Sequence, residues 1–125
     1  VEGKTEVHKE FVLCEGGRLK DEPHCKEVLP QNLDKKSFYY PRLLCQSTND
    51  IMHTKAVMIR NNTEKYVYRL YEQDEYYDLI NNPKETHNLI NDTKYEKRIS
   101  ILKQALLKFL VSTSDIVPIK QDLRF

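Results

Sequence analysis

The apolar residues of the second half change period partway along, and this restricts the possible folds more than any other feature of the chain. Ala56–Arg60 and Lys65–Leu70 are rich in β-branched and aromatic residues, which suit strands. Asn61-Asn62-Thr63 between them is turn chemistry, because Asn tolerates the left-handed backbone region. In the second strand Tyr66, Tyr68 and Leu70 share one face, and Val67, Arg69 and Tyr71 share the other. Glu72-Gln73-Asp74 makes another polar turn, and Glu75–Leu79 supplies a further strand. From Tyr95 onward the period becomes helical: Tyr95, Ile99, Leu102, Leu106 and Leu110 recur on one side, with Phe109 beside them. Lys97, Lys103, Gln104 and Lys108 largely occupy the opposite side. Thr93 followed by Glu96 has the capping-box pattern, and a helix over 93–111 would be about 28 Å long. Ser112-Thr113-Ser114-Asp115 ends it, and Pro118 keeps the tail from resuming it. Earlier, Asn82-Pro83-Lys84-Glu85 reads as a short helix start, with Asn82 capping and Glu85 reaching back.

The first half is less regular and holds all three glycines. One strand is expected from Val7 to Cys14, with Val7, Phe11 and Leu13 on one face, broken by Glu15-Gly16-Gly17. From Arg18 to Asp50 the expectation is mostly irregular chain, long enough that it normally lies against something else. The fold class is therefore α+β: a small antiparallel sheet of three to four strands with a long C-terminal helix packed on one face, preceded by an irregular N-terminal half.

At 125 residues the chain has room for one modest core. It begins at Val1 and not Met, and reads as a processed product or a piece of something longer. No apolar run approaches the ~18 residues needed to span a bilayer. Twenty basic and nineteen acidic side chains leave a net charge of +1, and the short pairs Lys35-Lys36 and Lys97-Arg98 are flanked by acids. A protein that binds nucleic acid by neutralising phosphates shows a basic excess or stripe, so neither nucleic acid nor membrane is expected as a partner. Cys14, Cys25 and Cys45 are odd in number and widely spaced, which reads as reduced thiols and leans toward the cytoplasm. The Asn-x-Thr sequons at Asn61 and Asn91 are short enough to arise by chance.

For chemistry, Cys14, His24, Cys25, Cys45 and His53 match no compact zinc spacing, and no metal site is expected. No cysteine–histidine pair comes with an oxyanion hole or orienting group in view, and no catalytic residue is assigned. The Tyr66–Tyr77 aromatics read as strand packing and not as a stacking platform. His53, Lys55 and Arg60 are the candidate binding residues. His53 and Lys55 stand two apart just before a strand, so extended chain would project them to one side. An imidazole and a cation aimed together suit an anionic group such as sulfate or carboxylate.

The order Glu75-Tyr76-Tyr77-Asp78-Leu79, Asn82-Pro83-Lys84-Glu85, Asn88-Leu89 and then a final long helix resembles the tail motif of the sulfatase family. There a strand ending Leu-Tyr-Asp-Leu leads into Asp-Pro-x-Glu, then Asn-Leu, then the last helix. Tyr76 stands where Leu is usual and Asn82 where Asp is usual. His53–Arg60 followed by Lys65-Tyr66-Val67 resembles the hairpin before that motif. Cys14–Arg18, Tyr39–Leu43 and Thr113–Pro118 resemble a bacterial-type branch of the family.

The resemblance implies that residues 53–125 are a sulfatase-like C-terminal subdomain and that 1–52, with their one strand, pack on an N-terminal domain outside this sequence. That domain would carry the formylglycine nucleophile and the calcium ion, so this chain alone is expected to be inactive and to hold no cofactor. The nearest string to the family's Cys/Ser-x-Pro-x-Arg is Cys14-Glu15-Gly16-Gly17-Arg18, which has Gly16 in place of the proline and lies among tail motifs. The parent would hydrolyse a sulfate ester of a small molecule or glycan, or a phosphate or phosphonate ester. His53 and Lys55 would touch substrate at the mouth of its cleft, with Arg18 and His24 as lesser candidates. The competing expectation is a stand-alone interaction module without enzymatic activity.

Overall fold

The computed structural model describes residues 9–20, 22 and 29–114. Four strands, β1 (Val12–Gly16), β2 (Ala56–Arg60), β3 (Glu64–Arg69) and β4 (Glu75–Asp78), form one antiparallel sheet in sequential order. Two helices accompany it, α1 (Tyr40–Thr48) and α2 (Glu96–Ser114). The α+β architecture is the one expected, with four strands and the long helix on one face.

The sheet follows from its turns. The Asn61 Oδ1 accepts hydrogen bonds from Thr63 N–H at 2.8 Å and Glu64 N–H at 2.9 Å, and Asn61 N–H donates to the Glu64 carbonyl. This side-chain turn fixes the β2–β3 register of Ile59 opposite Tyr66 and Val57 opposite Tyr68. Asp74 does the same for the next connection: its Oδ1 accepts from Arg69 N–H at 3.1 Å and its Oδ2 from the Tyr66 hydroxyl at 2.5 Å.

The core lies between the sheet and α2. Ile59, Tyr66 and Tyr76 from the strands meet Ile99, Leu102 and Leu106 from the helix, with Phe11, Leu13, Val57, Leu89, Tyr95 and Leu110 packed around them. Leu102 is fully buried. At about 1.5–3 kcal/mol for each fully buried large apolar side chain, this contact is what makes α2 a helix in place. A buried charge is bound into the same layer. Glu64 accepts from the Tyr76 hydroxyl at 2.9 Å and from Arg98 Nε at 3.2 Å, and its other oxygen pairs with Arg98 Nη2. Both oxygens of that carboxylate are thereby hydrogen-bonded, and pairing with hydrogen bonding is what lets a buried charge be tolerated.

Several local expectations are corrected. Within Arg18–Asp50 the chain forms one helix that was not expected, α1 at Tyr40–Thr48 with Pro41 in its first turn, and most of the other described residues there are turns and irregular chain as expected. The first-half strand continues to Gly16 and breaks at Gly17, where φ is +86°; Val7, its expected start, lies outside the described residues. Since β1 pairs with β2, the sheet draws strands from both sides of position 52. Asn82–Glu85 is a turn and not a helix start: the Asn82 Oδ1 accepts from Thr86 N–H and Oγ1, and Glu85, at φ +53°, turns outward to pair with Lys65 at 2.6 Å. A 3-10 turn at Thr93–Tyr95 precedes α2, and Asp92, not Thr93, provides the cap by accepting from Lys94 N–H at 2.9 Å.

Candidate functional site

The best-formed meeting of candidate residues lies at the end of the sheet where β1 finishes and β2 begins. Its foundation is Gly17. A Cβ there would sit 2.3 Å from the Thr54 carbonyl oxygen, and the positive φ excludes ordinary side chains as well. Glycine lets the chain leaving β1 press directly on the chain entering β2. Arg18 N–H then donates to the His53 carbonyl at 3.1 Å, and Lys55 N–H donates to the Arg18 carbonyl at 2.9 Å, forming a parallel bridge between Arg18 and Thr54.

His53 reaches this point on a different backbone from the one expected. It ends a 3-10 turn, Asp50–His53, capped by the Asn49 side chain, which accepts from Ile51 N–H at 3.1 Å. Strand alternation therefore does not govern the direction of His53 relative to Lys55. Helix α1 packs mainly against this turn and so sets its position. Thr54 is buried and locks the turn by donating its hydroxyl to the Ile51 carbonyl at 2.7 Å.

The three cationic or imidazole side chains differ in exposure. Arg18 is buried, His53 is partly buried and Lys55 is exposed. The Nε2 of His53 is buried without a hydrogen-bond partner among the described residues. Leaving such a group unsatisfied costs about 1–3 kcal/mol. The backbone bonds bring Arg18, His53 and Lys55 together at this corner of the sheet, and two cations and an imidazole are residue types that suit an anion. Among the described residues no three His, Cys, Asp or Glu side chains converge as a metal site.

Arg60 does not belong to this corner. It lies at the far end of β2, five residues from Lys55, which at about 3.4 Å per residue is roughly 17 Å away. There it lines an open depression of about 750 Å³ with Lys9, Glu10, Asn61 and Thr63. His24 and Cys25 lie outside the described residues. Arg18, named only as a lesser candidate, is the residue whose backbone is bonded to both His53 and Lys55. The signal for it in the sequence is the Gly-Gly pair just before it, which permits the close approach.

The fold thus defines a class: an antiparallel four-stranded sheet covered on one face by a C-terminal helix. No family model matches the chain, and no curated protein matches it. Among solved structures it is similar to a protein from Bacteroides thetaiotaomicron VPI-5482 assigned as a sulfatase, at 27% sequence identity and a TM-score of 0.46. The match covers 56% of this chain and 16% of that one, so the chain spans a small part of that protein's length. No helix among the described residues is long and apolar enough to cross a membrane.

Proposed function

We propose that this chain is the C-terminal subdomain of a sulfatase-like hydrolase and that it supports the catalytic domain and lines the substrate's approach without performing the chemistry. The observation that carries this reading is the tail motif and the work its residues do. Glu75–Leu79 contributes strand β4, Asn82 organises the turn after it, Asn88-Leu89 clamps that strand, and α2 follows. The order that resembles the family motif is also a connected piece of structure, in which Glu75, Asp78, Asn82, Glu85 and Asn88 each make side-chain hydrogen bonds or ion pairs.

On this reading the parent hydrolyses a sulfate ester of a small molecule or glycan, with phosphate and phosphonate esters as chemically related substrates. The parent's N-terminal domain supplies the formylglycine and the calcium ion. That domain is also the partner for the first half of this chain. Exposed apolar residues there support the assignment: Phe38 is 93% exposed, and Tyr39 and Met52 are also open to solvent. His53 and Lys55, held at one corner by Arg18, face the anionic group of the substrate, and Arg60 is a separate contact at the other end of β2.

The test is hydrolysis of a chromogenic aryl sulfate by this chain, by a separately expressed N-terminal domain and by the two together. Activity is expected only in the mixture. His53→Ala and Lys55→Ala, with unchanged far-ultraviolet circular dichroism, are each expected to lower kcat/KM roughly tenfold, the scale of one lost hydrogen bond to a charged group. Calcium-dependent hydrolysis by this chain alone would overturn the reading, since it requires a nucleophile within these 125 residues.

A further inference from the structure

We draw no further inference here: the strongest candidate, the apolar groove of about 280 Å³ between the sheet and the C-terminal half of α2, lined by Val57, Tyr68, Leu106, Leu107 and Leu110, is an unpartnered face, and nothing in the structure shows what covers it.

Discussion

Three tyrosines show how a single side chain can tie the fold to pH. Burial, reinforced by hydrogen bonds to Asp74 and to Glu64, holds the Tyr66 and Tyr76 hydroxyls well above the usual phenol range. Tyr77 is pushed up to about 12, first by burial and then by its bond to Glu75. A phenol whose folded value is raised stays protonated in the folded chain while the unfolded chain loses its proton. Its contribution is therefore complete below about pH 10 and is lost progressively as pH rises above that. Urea midpoints are expected to hold steady from pH 8 to 9 and to fall above pH 10. Tyr66→Phe with Tyr76→Phe should lower the midpoint at pH 8 and flatten the alkaline decline; a decline of unchanged slope would mean these hydroxyls do not carry it. At this scale the sequence was legible for periodicity and poor for polar partners. The alternation of Tyr66, Tyr68 and Leu70 is visible in the chain, but that Asp74 and Glu64 would take the buried hydroxyls is not, because those bonds join residues eight and twelve apart through a sheet register. His53 is the same lesson in the site: alternation predicts its direction only if the backbone is extended, and Asn49 starts a 3-10 turn there instead.

Strand β4 was readable from its residues, but what holds its outer edge was readable only through the family-like Asn-Leu pair. Asn88 accepts from the N–H groups of Tyr76 and Ile90 and donates to the Asp74 carbonyl, while Leu89 continues the ladder and packs on the core. One amide thus stands in for a fifth strand. Asn88→Ala is expected to cost about 1–2 kcal/mol, since water can replace part of what is lost. Amide exchange should rise at Tyr76 and Ile90 and remain slow at Ile59; unchanged protection at Tyr76 would show the clamp to be dispensable. Helices α1 and α2 were unequally legible for a physical reason. Leading into and along α2, five positions keep one period over sixteen residues, from Tyr95 in the preceding 3-10 turn to Leu110. In α1 the apolar signal is only one turn long, Tyr40, Leu43 and Leu44, and Gln46 is its one buried residue, so the core does not reinforce it; the other signal is Pro41 in the first turn. The turn at Asn82 misled for a related reason: Asn followed by Pro is good cap chemistry, and it is equally good turn chemistry when Thr86 is present to answer the Asn82 side chain.

For the molecule as a whole, the composition-based division at position 52 separates regular from irregular sequence but cuts across the sheet. Five residue pairs join β1 to β2, and Phe11 and Leu13 complete the helix-facing layer from the first half. Gly17 and Arg18 then tie the end of β1 to Thr54 and Lys55. Removing residues 1–52 takes away the ladder, two apolar side chains and the bridge at once. It also leaves β2 as a raw edge whose even-numbered backbone groups lose their partners. The two side chains alone, partly buried, represent on the order of 3 kcal/mol, and small domains typically have about 5–15 kcal/mol in all. A 53–125 fragment is therefore expected to lose its cooperative urea transition and its near-ultraviolet tyrosine signal, while α2 retains some helicity by far-ultraviolet circular dichroism. A fragment unfolding cooperatively within about 1 kcal/mol of the full chain would mean that β1 is an accessory to the sheet. The expected loss would instead make the first half a structural part of the subdomain, because it supplies the strand that fixes β2 and brings Arg18 to the His53–Lys55 corner.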